Sequence, residues 1–271
     1  VVLLAHHDAA PTGRIFDPRF QRWLGRSFPG IVERIDTALP LWWPVVGAPA
    51  AIAYGATRGR RAATVTGVAG CLGAAAAFAD IARSPIVPGA NDNLTGVAAL
   101  LAVGARLGER PEPGVRVLLV SCGSEETLQG GIRGFAARHF PALDRERTSF
   151  LNLETVGSPR LVLLEGEGPL VMEDYTDRTF RDLVARAAEG AGVRMRRGMR
   201  ARSSTDSVVP SRARFPTATL TSVDRDKLLS NYHLMSDTPE NVRYETVADA
   251  VAVTEAVVRL QGAHPGPARR A

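Results

Sequence analysis

Val1-Val2-Leu3-Leu4-Ala5-His6-His7-Asp8 opens the chain, five apolar residues running without interruption into three polar ones. A continuous apolar run of that length reads as a strand buried on both faces, as parallel strands are. Its polar end is then a carboxyl-terminal strand end, the edge at which open α/β sheets bind ligands. The pattern recurs. Residues 115–121 read as a second buried strand that leads to Glu125-Glu126, and residues 149–153 as a third that ends at Glu154. Residues 160–164 and 216–222 supply further strands. Helical patterns fall at 94–107, 128–140, 175–191 and 242–260, with a shorter one near 18–26. Strands alternating with helices specify the α/β class, here a three-layer α/β/α sandwich around a mostly parallel mixed sheet.

Composition fits that reading. The 271 residues are 45% hydrophobic and 23% charged, enough for one sizeable core. They divide into a single domain over 1–262, interrupted by an insertion at 9–87, and a loose Pro/Gly/Arg-rich tail at 263–271. The net charge of +5 is carried almost wholly by Arg, Lys227 being the only lysine. These Arg residues are scattered and lack the interleaved aromatics that stack bases, so no nucleic-acid partner is expected. Cys71 and Cys122 sit in unlike contexts, which excludes a disulfide framework and a Cys-based metal site. The opening segment has no Met and no basic stretch before its apolar run. It therefore reads as a strand rather than a signal peptide, within a protein that extends upstream.

Five short motifs carry the chemistry. His6 and Asp8, two apart at a strand end, point to one side, and His7 points to the other. An imidazole that binds metal is oriented by a carboxylate partner, which His-x-Asp supplies; the same pair also suits a plain polar strand end. In Gly89-Ala90-Asn91-Asp92-Asn93-Leu94-Thr95-Gly96, Asp92 is placed either to cap a helix or to bridge two ions, one oxygen each. Glu125 and Glu126 repel one another unless a cation lies near; at a metal site one coordinates and the other moves a proton. Glu154 and His233 complete the set. Together they offer two imidazoles and three carboxylates for ligation and one carboxylate for base work, a mixed N/O set that suits zinc.

In this order and spacing, His6-His7-Asp8, Gly89–Gly96, Glu125-Glu126, Glu154 and Asn231-Tyr232-His233 with Asp237-Thr238-Pro239 resemble the M28 zinc peptidases. The resemblance covers residues 1–8, about 88–165 and about 203–262. It implies a zinc-dependent exopeptidase fold and two zinc ions per chain, one held by His6, Asp92 and Glu154, the other by Asp92, Glu126 and His233. It also implies Glu125 as general base and proton donor, Asp8 as the group orienting His6, a cis Asp92–Asn93 peptide, and Tyr232 as an oxyanion partner. Peptides are the implied substrates, and aminopeptidase activity the leading expectation. The alternatives are a zinc glutaminyl cyclase, an amidohydrolase or carboxypeptidase on the same scaffold, and a non-catalytic binding ectodomain. Two departures stand out. Glu154 occupies a position where many aminopeptidases of the family carry Asp, and Ser207 follows Asp206 where the family's Ser-Asp-His loop has His.

The insertion holds two charge-free runs, 37–57 and 62–79, separated by Arg58-Gly59-Arg60-Arg61. The spacing predicts a hydrophobic helical hairpin over about 38–82. One reading is a membrane hairpin with its basic turn on the cytoplasmic side and the peptidase domain outside. The other, given Pro40, Pro44 and Pro49, is a soluble lid or a contact between subunits. The sequence leaves the oligomeric state open.

Overall fold

The computed structural model describes residues 1–38 and 43–263. Its strands are β1 (Val2–His6), β2 (Leu118–Cys122), β3 (Phe150–Glu154), β4 (Arg160–Glu167), β5 (Glu173–Asp174), β6 (Arg196–Ala201) and β7 (Thr217–Val223). They form one seven-stranded sheet in the order β2-β1-β3-β7-β4-β5, with β6 also pairing with β4. β2, β1, β3 and β7 run parallel, while β4 is antiparallel to β7 and reverses the sheet on that side. In register, His6 lies level with Cys122, Val2 with Phe150, and Glu154 with Thr221. The carboxyl ends of the four parallel strands therefore share one edge, and His6 and Glu154 arrive there together.

The helices of the domain are α1 (Arg19–Ser27), α2 (Pro29–Arg34), α5 (Thr95–Glu109), α6 (Gly130–His139), α7 (Arg178–Gly190), α8 (Val208–Arg212) and α9 (Tyr244–Ala263), with α3 (Trp43–Arg58) and α4 (Arg61–Ile81) making the hairpin. On one face of the sheet Leu3, Leu151, Leu153 and Leu163 pack against α5, α7 and α9 through Val103, Val184 and Val257, all fully buried. On the other, Val2, Leu4 and Phe150 meet Ile132 of α6 and Phe215, where three phenylalanines meet edge to face. Burying a side chain of this size stabilises by about 1.5–3 kcal/mol. The result is an α/β sandwich with helices on both sides of a mixed sheet.

One strand expectation and one helix expectation need correction. Residues 115–121 are not a buried strand: β2 starts at Leu118, beside Val2 of its single neighbour, and as the edge strand leaves Leu119 exposed. Tyr175, expected within a helix, instead precedes α7, which starts where the Asp177 carboxylate accepts the N–H groups of Thr179 and Phe180. Cys71 and Cys122 are both free.

The hairpin helices touch each other far more than they touch the domain. They approach closely because small residues line their contact: a Cβ on Gly67 would stand 2.6 Å from the Ala48 carbonyl oxygen, and one on Gly70 would stand 2.8 Å from Ala48 Cβ. Val65, Val68, Leu72 and Phe78 of α4 are exposed. The segment expected to be a loose tail, past residue 263, and residues 39–42 at the hairpin entrance lie outside the described residues.

Candidate metal centre

Strand ends and one tight turn bring all five proposed ligands together. The His6 Nε2 atom lies 3.1 Å from Glu154 Oε1 and 3.4 Å from Asp92 Oδ1. The His233 Nε2 atom lies 3.2 Å from Glu126 Oε1 and 3.4 Å from Asp92 Oδ2. Asp92 thus presents one oxygen to each of two triads, His6-Asp92-Glu154 and Asp92-Glu126-His233. Two donors about 2.0–2.1 Å from one tetrahedral zinc stand roughly 3.3 Å apart, so the observed separations fit that ion. A second observation points the same way. Asp92 Oδ2 and His233 Nε2 are fully buried, yet neither has a hydrogen-bond partner among the described residues, as expected of donors shaped to share an ion rather than each other.

Charge reinforces the fit. Burial disfavours a protonated His6, but the Glu154 and Asp92 carboxylates outweigh it and hold the ring protonated far above its usual range. At His233 burial is likewise overcome by Asp92 and Glu126, which raise the ring to about 9. Asp92 is pulled well below the carboxylate range by the same two imidazoles, against the effect of its burial. Burial pushes Glu125 up to about 10, with the charge on Glu154 adding to it, and burial raises Glu126 also. This is an acidic pocket whose ionised form needs cations.

The groups behind the ligands are equally ordered. Asp8 does two things. Its backbone oxygen lies 3.1 Å from His6 Nδ1 and its carboxylate 3.5 Å from the same atom. Its two carboxylate oxygens also accept the N–H groups of Glu125 and Glu126, at 3.0 and 3.2 Å, fixing the loop that carries both glutamates. Asp237 does the same for Asp92. Its carboxylate accepts the N–H groups of Asn91 and Asp92, at 2.8 and 3.1 Å, and its backbone oxygen accepts that of Ala90. The Asp92–Asn93 peptide is cis. Asn93 locks this turn to β3, its amide donating to the Leu153 oxygen and its Oδ1 accepting from Thr155 and Gly96. Thr155 donates to Asp92 Oδ1, and Asn152 to Glu154 Oε2.

Tyr232 stacks on His233 with ring centroids 3.9 Å apart. Burial, with the Asp92 charge adding, holds its phenol protonated well above the ordinary range. His7 points away and bonds Ser121. Asp206 is buried beside the Cys122 thiol; burial raises it to about 7, and Ser207 bonds Thr219 instead of facing the site. Sequence reasoning gave Thr155, Asn152 and Asp237 no role, although Asp237 lies inside a quoted motif. It also missed Phe16 and Thr12 of the insertion: Phe16 packs on the His233 ring at 4.4 Å and Thr12 donates to its backbone oxygen. Nothing in the spacing marks those two, because the insertion reaches the site only in three dimensions.

Comparisons with known proteins bear on the fold and the family. No curated protein matches the chain by sequence. Among solved structures, it is similar to LapB from Legionella pneumophila (TM-score 0.55, 16% identity, 65% of this chain and 48% of that one). It is also similar to BSAP, a zinc aminopeptidase from Bacillus subtilis (0.50, 21%, 64% and 42%). The Tannerella forsythia glutaminyl cyclase shares the fold as well (0.54, 21%, 67% and 66%). The chain spans less than half the length of the first two, and at these identities the likeness is one of fold. The model of Peptidase family M28 matches residues 73–258, a stretch that contains Asp92, Glu125, Glu126, Glu154 and His233 and begins after His6. With well over half of the sequence matched, the chain belongs to peptidase family M28.

Proposed function

We propose that the chain is a zinc-dependent exopeptidase of the aminopeptidase kind, hydrolysing a terminal peptide bond at a pair of zinc ions. The observation that carries this reading is the division of Asp92 between two His-containing triads. His6, Asp92 and Glu154 would hold one ion, and Asp92, Glu126 and His233 the other. When bound, the pair supplies a polarised scissile carbonyl and an acidified water. The chain supplies the proton transfers and the positioning. Glu125, which groups with His6 and Glu126 at the site and would be ionised once cations offset the carboxylates around it, takes the water's proton and returns it to the leaving amine. Tyr232, kept protonated, donates to the developing oxyanion. Asp8 positions both His6 and the Glu125-Glu126 loop. Aminoacyl and N-blocked anilides assayed with added zinc test the reading. Free aminoacyl anilides should turn over, and Glu125→Gln should abolish turnover while zinc content stays at the wild-type level; substantial residual activity in that variant contradicts the role. The cyclase relative's fold supports a second reading, single-zinc cyclisation of N-terminal glutamine, which the same assay distinguishes by a cyclised product.

We further propose that the hairpin holds the chain at a membrane, with the catalytic domain on the extracytoplasmic side. Among the described helices, α4 alone is long and apolar enough to cross a bilayer, and almost none of it is buried. Its carboxyl-terminal half, from Gly73 to Ile81, lies against the domain, so the part that enters the bilayer is the tip, residues 61–72, about 18 Å at 1.5 Å per residue. Arg58, Arg60 and Arg61 at the tip suit anionic headgroups. Wild-type protein should float with anionic vesicles, and a Val68→Asp/Leu72→Asp double variant should not; wild type remaining in the aqueous fraction contradicts the proposal.

A further inference from the structure

A cavity of about 720 Å³ lies between the hairpin and the carboxyl edge of the sheet. Its outer wall is the insertion: Phe16, and Gly73, Ala77 and Phe78 of α4. Its inner wall includes Met199 of β6 and Leu229. The lining is overwhelmingly apolar. The lining also includes Glu154, a proposed metal ligand, and Tyr232, the proposed oxyanion partner, so the cavity reaches the metal centre. A second cleft, around Glu165, Arg178 and Arg197, contains none of the site residues.

Size decides what this space is for. At about 30 Å³ per water-sized group, a four-carbon leucine side chain would fill roughly 120 Å³, a small fraction of the space. The volume falls within the range that encloses a whole small molecule, about 300–1,000 Å³. An apolar space so large that abuts the reacting atoms rewards an apolar chain with the hydrophobic free energy of every methylene it takes from water.

We propose that this cavity seats the side chain of the substrate's N-terminal residue when that side chain is a long alkyl chain of about ten carbons, or an apolar group of similar bulk, making the substrates long-chain or lipid-modified amides rather than ordinary peptides. The inference rests on the aminopeptidase reading above. The insertion then acts as the specificity-determining part of the chain, with α4 as the wall.

The test uses the zinc-loaded full chain and the p-nitroanilides of alanine, leucine, 2-aminooctanoic acid and 2-aminododecanoic acid. kcat/KM should rise by up to about fourfold per added methylene, and at least 100-fold from alanine to the dodecanoic derivative. Gly73→Phe fills the wall from a helix position where an added Cβ meets nothing within 4 Å. It should lower kcat/KM for the dodecanoic substrate at least tenfold and leave the alanine substrate within twofold. Ala77→Phe, with folding of both variants checked by thermal melting, should repeat the effect. A flat chain-length series, or equal losses on both substrates in both folded variants, overturns the proposal. If no anilide is hydrolysed, the aminopeptidase reading fails by itself. Calorimetric binding of free 2-aminododecanoic acid then judges the cavity: binding weakened at least tenfold by Gly73→Phe supports it, and no binding to the wild type overturns it.

Discussion

Replacing Asp237 by Asn tests how the Asp92 turn is held. The Asp237 carboxylate has no solvent exposure and accepts two consecutive N–H groups, from Asn91 and Asp92. Asparagine keeps one acceptor oxygen but turns an NH2 group toward the other N–H. One buried amide is then orphaned, at about 1–3 kcal/mol, and a charge-assisted bond is lost. The sum is roughly 2–4 kcal/mol, which for a domain of this size lowers the melting temperature by about 4–8 °C. The lost bond is one that holds the backbone of Asn91 or Asp92, and Asp92 is the residue common to both triads. Loss of a group that orients a ligand typically costs about 10–100-fold in metal affinity. Thermal unfolding of metal-free protein gives the first quantity, and zinc competition against a chromogenic chelator the second. A variant that melts lower but binds zinc as wild type would show that Asp237 stabilises the fold without positioning the ligand. A variant unchanged in both would refute the reasoning.

Two further outcomes follow from the same geometry. Gly96→Ala should destabilise by at least about 2–3 kcal/mol in chemical denaturation, because the new Cβ would stand 2.6 Å from Asn93 Oδ1 and still closer to the Leu153 carbonyl oxygen, where backbone must yield. Glu167, the last residue of β4, is raised to about 8 by burial, with the Glu154 charge adding, although Tyr175 and Thr205 donate to its Oε2. The folded protein therefore keeps a proton that the unfolded chain releases above about 4.5, so stability from this group should fall as pH rises from about 5 to 8, by a few kcal/mol in all. Glu167→Gln, measured by urea denaturation of metal-free protein at pH 5 and 8, should flatten that slope; an unchanged slope would show that Glu167 ionises normally.

Much of the site is legible in the sequence because parallel strands deliver their carboxyl ends to one edge. His6 and Glu154 follow from where two apolar runs stop, and the register then levels them. Asp92 and Glu126 follow from the short motifs Asn91-Asp92-Asn93 and Glu125-Glu126, although the hairpin before the first and the edge strand before the second are not buried. β6 stays hidden for a physical reason. Arg196–Ala201 carries three arginines and no apolar alternation, and it becomes a strand through pairing with β4. Its charges are met only in the fold, where Arg200 pairs with Asp174 and Asp36, and Arg197 with Glu165 and Asp182. The partners that fix the ligands are hidden likewise. Asn152 reaches Glu154 across one strand residue, but Asp237 reaches Asp92 from far along the chain, and Phe16 reaches His233 from within an insertion. Those contacts depend on tertiary approach, which spacing does not encode.

Counting zinc ions addresses the central claim most directly. Purified chain titrated with zinc, freed of excess by gel filtration and analysed for metal should hold two ions per molecule. His6→Ala and His233→Ala should each hold about one, since each dismantles one triad and leaves the other. A wild-type protein that retains no zinc, or variants that keep the full complement, would contradict the account.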